Sequence, residues 1–237
     1  MKASLDTNVI LHLYRAQQQE MLFAMFEDGI FIDDFIYKVE LEHRGKDVLP
    51  EVESDITSGK LKIIGNTELK ELGILPLYFE YLEEEKQIYS HADEGEAHAI
   101  ALARCLGSSA ISVVTDDTKD KGPHYFLLRI KDLDIIPLAF YEILILLYLK
   151  GMYSAKQTIE VFNKVMEASF EYSYEFRSKI KAFSKRFVAD PYTDRDADWF
   201  DAFCHKEHVA FKTKIKNLVN ELDKQPQSIP IIPTIGR

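Results

Sequence analysis

The chain has 237 residues, 46% of them hydrophobic, with 29 Lys+Arg against 39 Asp+Glu and a formal net charge of -10. This is long enough for a substantial core and ordinary in balance for a globular protein, and its acidity excludes the basic footprint of a tight, non-specific nucleic-acid binder. The longest apolar run, Ile135 to Leu149, is interrupted by Pro137 and Glu142, so no membrane-spanning segment is expected.

No basic stretch followed by an apolar one precedes Asp6, so no secretory signal is expected and the protein is placed in the cytoplasm. Strands are expected at the apolar stub Lys2 to Leu5 and at Gly29 to Asp33, Leu61 to Ile64, Ala110 to Thr115 and Leu133 to Leu138, where short β-branched runs alternate with longer helical patterns. Helical patterns occupy Asn8 to Phe26, Phe35 to Gly45, Thr67 to Glu85, Glu94 to Leu106 and Phe126 to Lys131. This alternation predicts a three-layer α/β/α domain over residues 1–150, built on a mainly parallel sheet with its ligand site beyond the carboxyl ends of the strands.

Past Gly151 the pattern is helical through residue 223, near Ser154 to Glu167, Glu171 to Phe187 and Asp194 to Leu222. Phe162, Phe170, Phe176, Phe183, Phe187, Trp199, Phe200, Phe203 and Phe211 read as core or interface anchors in this region. The run Lys179, Lys181, Lys185 and Arg186 reads as a solvated helix face, with a face tracking a phosphate backbone as the alternative. Residues 224–237 carry Pro226, Pro230 and Pro233 and are expected to form an extended arm or a disordered tail. Cys105 and Cys204 lack any metal or disulfide spacing. Charge divides unevenly: residues 1–150 hold 15 basic and 27 acidic side chains (net -12), residues 151–237 hold 14 and 12 (net +2).

Within the acidic part, some acids occupy distinctive settings. Asp6, before Thr7 and Asn8, stands where the first strand turns into a helix, so it is either a helix cap or a site residue. Glu40 lies in an amphipathic helix, where a solvated acid is the ordinary reading. Asp93 and Glu96 have capping-box spacing, but Ala97, Ala99, Ala101 and Ala103 also predict a slim helix that carries Glu96 close to the sheet. His98 is expected at the solvent or at the rim of the core. The buried-type strand ending Val113-Val114-Thr115 runs into Asp116 and Asp117, adjacent carboxylates that repel unless a cation or hydrogen-bond donors compensate.

Taken in order, Leu5-Asp6-Thr7-Asn8-Val9-Ile10-Leu11, Val39-Glu40-Leu41, Glu96-Ala97-His98-Ala99-Ile100-Ala101-Leu102-Ala103 and Val114-Thr115-Asp116-Asp117 resemble the motifs of the PIN-domain family of metal-dependent ribonucleases. The segment Leu133 to Gly151 resembles the closing strand and helix of a subgroup. The resemblance covers residues 1 to about 150. It implies that Asp6, Glu96 and Asp116 or Asp117 hold Mg²⁺ or Mn²⁺, that Glu40 completes the catalytic set, and that Thr7, Asn8 and Thr115 orient the carboxylates. It further implies an endoribonuclease acting on RNA, most similar to the toxin of a toxin–antitoxin pair. A basic antitoxin, another protein or a second copy of the chain would then be its partner. Two departures stand out: Glu96 replaces the Asp of many members, and the helical region past Ser154 has no counterpart in the minimal domain. A catalytically inactive PIN-like binding or scaffold module and a structure-specific DNA nuclease are the alternatives.

Overall fold

The computed structural model describes residues 1–88, 94–107, 111–116, 135–169, 175–191 and 193–224. Five strands, β1 (Lys2–Leu5), β2 (Gly29–Asp33), β3 (Lys62–Ile64), β4 (Ile111–Val114) and β5 (Ile136–Leu138), form one sheet in the order β3-β2-β1-β4-β5. Every pairing is parallel, with Leu5 opposite Val114 and Asp33 opposite Ile64. The order reverses at β1, so the crevice between the ends of β1 and β4 is the place where such sheets bind ligands.

Helices cover both faces, as parallel strands require. After β1 come α1 (Thr7–Arg15) and α2 (Glu20–Met25) instead of one helix from Asn8 to Phe26. The break is a Schellman-type stop at Gln17 (φ 54°), with Gln17 and Gln18 donating to Tyr14 and Leu13 carbonyls at 3.0 and 2.8 Å. Glycine is the usual residue there. After β2 the chain makes a π-helical turn, Ile36–Leu41, then α3 (Glu42–Arg44). Next is α4 (Leu49–Thr57), which the sequence pattern does not announce because Pro50 looks like a breaker; in a first turn proline is well tolerated. The expected helix over Thr67 to Glu85 divides at Gly73 (φ 73°) into α5 (Asn66–Glu71) and α6 (Leu75–Ile88).

The alanine-rich α7 (Glu94–Cys105) packs against β1, β2 and β4, and Ala97, Ala99, Ala101 and Ala103 are fully buried. β5 leads into α8 (Phe140–Lys150), which ends at Gly151 (φ 84°). The helical region comprises α9 (Ala155–Ala168), α10 (Phe176–Ser184) with a π-helical turn at Lys185–Ala189, α11 (Asp194–Lys206) and α12 (Phe211–Lys224). Its rings join the core of the α/β part: Phe140 stacks on Phe162 at 5.6 Å and Phe162 on Phe176 at 4.2 Å, and Phe183, Phe200 and Leu218 belong to the same buried cluster as Val9 and Leu144. Among the described residues no helix is long and apolar enough to cross a membrane. The expected helix Phe126 to Lys131, the beginning of the strand at Leu133, Phe170 and residues 225–237 lie outside the described residues, as do Asp93 and Asp117.

Candidate active site

Asp6 closes β1. Its N–H donates to the Val114 carbonyl at 2.9 Å, and Thr115, one residue past the end of β4, donates its hydroxyl to Asp6 Oδ2 at 2.9 Å. The carboxylate is buried, yet it forms no cap hydrogen bond with the N–H groups of α1. Capping was the ordinary explanation of an acid at this turn, and the geometry turns the side chain toward β4 instead.

Glu40 sits in the π-helical turn, a geometry that recurs at functional sites. Thr7 donates its hydroxyl to Glu40 Oε2. Gly95 in the first turn of α7 lies so close that a methyl group added there would be 2.5 Å from each Glu40 carboxylate oxygen. The half-buried Glu96 follows directly. Thr7, Glu40 and Gly95 therefore meet at the carboxyl edge of the sheet, with Asp6 and Glu96 next to them in the chain; α1 and α7 also begin there, and helix N-termini favour negative charge.

Asp116 is buried and engaged at both oxygens: Phe140 N–H donates to Oδ1 at 2.9 Å, capping α8, and His12 Nδ1 lies 3.1 Å from Oδ2. Asn8 accepts from Arg44 Nη2 at its amide oxygen (2.8 Å). Among the described residues no three His, Cys, Asp or Glu groups stand within ligating range of one point.

Beneath Glu40 lies a polar cluster that the sequence did not lead us to expect. Asp33, at the end of β2, accepts from Tyr78 O–H at 2.7 Å and from Phe35 N–H at 2.9 Å, and lies 3.1 Å from His98 Nδ1. Tyr78 O–H is also 2.7 Å from that nitrogen. With the tyrosyl proton given to Asp33, Nδ1 carries the imidazole proton. Burial and Asp33 push the Tyr78 phenol up, so it stays a donor. His98 thus does not face solvent or the core rim: it is buried and stacks on Phe35 at 4.2 Å. The cluster ties β2, α6 and α7 together just below the turn that carries Glu40. Polar residues embedded in apolar runs, His12 in Val9 to Leu13 and His98 among alanines, were the available signal.

Cys105 and Cys204 are half-buried, and burial raises both thiols to about 11, so neither is a nucleophile at neutral pH. No family model, curated protein or solved structure matches this chain.

Proposed function

We propose that the protein is a metal-dependent endoribonuclease on a PIN-like α/β domain, acting in the cell as the toxin of a toxin–antitoxin pair. The observation that carries this reading is the Asp6 carboxylate: buried at the switch point of a parallel sheet, held by Thr115 and not consumed in capping α1. Glu40 lies against Gly95, the residue before Glu96, at the carboxyl edge of the sheet.

The donor set fits a hard divalent cation, since every candidate ligand is a carboxylate. Asp6, Glu96 and Asp116 or Asp117 would hold Mg²⁺ or Mn²⁺, with Glu40 completing the set. Such an ion, when bound, offsets charge on the scissile phosphate and acidifies a water for in-line attack. The chain's part is orientation: Thr115 and Thr7 each fix the rotation of one carboxylate by donating a hydroxyl to one of its oxygens. A non-catalytic PIN-like binding module is the second reading, favoured by Asp116, whose oxygens already serve Phe140 and His12.

The test is cleavage of a mixed single-stranded RNA pool with Mn²⁺ and with EDTA, beside a thermal melt in each. Products only with Mn²⁺, and a Tm raised by the ion, are expected; an intact pool and an unchanged melt would transfer the assignment to the binding module. Branched DNA added as competitor separates a DNA nuclease from an RNA-directed one.

Gly95→Ala provides a sharper check on Glu40. Alanine normally stabilises a helix interior by about 0.5–1 kcal/mol over glycine, but here the methyl group meets the Glu40 carboxylate, the end of a flexible side chain that can swing away. Tm is expected to change by less than about 4 °C, whereas cleavage falls by about 10–100-fold, the size of a lost supporting contact at a metal site. Unchanged cleavage would remove Glu40 from the active set.

A further inference from the structure

The first turn of α1 holds an arginine beside the acidic edge. Asn8, two residues past Asp6 and next to the Thr7 that donates to Glu40, accepts from Arg44 Nη2 at 2.8 Å. Glu40 and Arg44 stand four residues apart on one helical run, the π-helical turn continued by α3, so Thr7–Glu40 and Asn8–Arg44 are successive contacts between that run and α1. The backbone is held there as well: the Arg44 carbonyl accepts from Arg15 Nη2 at 3.0 Å, and a methyl group added at Gly45 would be 2.9 Å from the Leu11 side chain.

The partner of this cation sets it apart. Arg15 and Lys38 each pair with an acid, Asp47 at 2.7 Å and Asp34 at 2.9 Å. Arg44 is exposed, gives Nη2 to a neutral amide and forms no ion pair among the described residues. A guanidinium carries five N–H donors in a planar fork that matches a phosphate, so the amide fixes the direction of the group without neutralising it and leaves donors for an anion. Residues 1–150 carry a net charge of -12, and a polyanion that reaches this edge needs an uncompensated cation beside it.

Resting on the nuclease reading above, we propose that Arg44 is a substrate-binding residue whose guanidinium, braced by Asn8 at the start of α1, donates to a phosphate of the RNA backbone that flanks the scissile one.

The experiment measures anisotropy of an end-labelled, mixed-sequence single-stranded RNA on the full chain, in an Asp6→Asn background chosen so that the RNA stays intact, from about 50 to 200 mM salt. Arg44→Ala, Arg44→Lys and Lys46→Ala are compared, the last removing the same charge from an exposed position two residues further on. Arg44→Ala is expected to weaken binding roughly five-fold and to reduce the slope of log affinity against log salt by about 0.7, the value for one phosphate contact to a single strand. Arg44→Lys keeps the charge, so it is expected to keep the slope while losing part of the affinity, because an ammonium cannot make the forked contact. Lys46→Ala is expected to leave the slope unchanged. An unchanged slope for Arg44→Ala, equal effects of the two alanine variants, or a slope that falls as far in Arg44→Lys as in Arg44→Ala overturns the proposal even where the parent protein cleaves RNA with Mn²⁺. A parent chain that neither cleaves RNA nor gains Tm with Mn²⁺ overturns the nuclease reading itself, and this inference with it.

Discussion

Asp6→Asn is expected to reduce Mn²⁺-dependent RNA cleavage by more than about 100-fold and to abolish the Mn²⁺-induced rise in Tm, with the metal-free protein still folded. Loss of a group that merely orients a metal ligand already costs about 10–100-fold, and Asp6 is proposed as a ligand itself. The substitution preserves size, and the amide oxygen can still accept the Thr115 hydroxyl that now donates at 2.9 Å. It also removes one negative charge from an edge shared with Glu40 and Glu96, so Tm without metal should not fall. Asp116→Asn is the informative companion. The amide oxygen of Asn can still accept the Phe140 N–H, but an amide nitrogen replaces the oxygen that faces His12 Nδ1 at 3.1 Å, so this variant should lose about 1 kcal/mol of stability without metal, the net worth of one hydrogen bond. Activity lost without a stability cost marks a ligand, and stability lost first marks a structural contact. Cleavage kinetics and metal-free melts of the two variants read both quantities. Full cleavage by Asp6→Asn would place the chemistry elsewhere in the molecule.

The sheet and the acidic ends of β1 and β4 were legible in the sequence because both are local properties. The short apolar stub that ends in Asp6 and the β-branched run that ends in Thr115-Asp116 each identify a strand and its carboxyl end together, and the buried alanines of α7 signalled close packing on the sheet. Helix interruptions were not legible where non-glycine residues adopt left-handed backbone, at Gln17 (φ 54°) and at His208 (φ 52°), the latter dividing the expected Asp194 to Leu222 helix into α11 and α12. The π-helical turn at Glu40 leaves the hydrophobic pattern of an ordinary helix intact, so periodicity could not reveal it. Asp33 meets Tyr78 and His98 across 45 and 65 residues, and His12 meets Asp116 across 104. Such contacts are products of the strand order, which a single sequence does not specify. The same holds for Arg186, which the sequence placed in a solvated or phosphate-tracking basic run with Lys179, Lys181 and Lys185. Lys181 and Lys185 are exposed as that reading requires, but Arg186 is buried and belongs to neither kind of face.

Arg186→Met is expected to destabilise the fold by about 3–5 kcal/mol, the cost of leaving buried charges without their partner and well beyond the loss expected for Asp116→Asn. In a chain of this length that corresponds to a Tm lower by roughly 6–20 °C. The guanidinium donates to both Glu142 oxygens at 2.9 and 2.8 Å and to Asp196 Oδ2 at 3.2 Å, and all three side chains are at most 5% exposed. Burial opposes its charge, but Glu142 and Asp196 outweigh burial and hold the group above its usual range. Glu142 lies on α8 and Asp196 on α11, so the ion triad joins the α/β part to the helical region through the turn after α10. Methionine fills similar volume, which confines the loss to charge and hydrogen bonding. The triple variant Arg186→Met, Glu142→Leu, Asp196→Leu removes the charges together and is expected to recover most of the stability, less about 1 kcal/mol for the Ala139 N–H that Glu142 now accepts. Denaturant melts of parent, single and triple variants decide the matter. A single variant within about 1 kcal/mol of the parent would mean that water reaches the triad. A triple variant no better than the single one would mean that the contacts around the ions, and not the unpaired charges, hold α8 to α11.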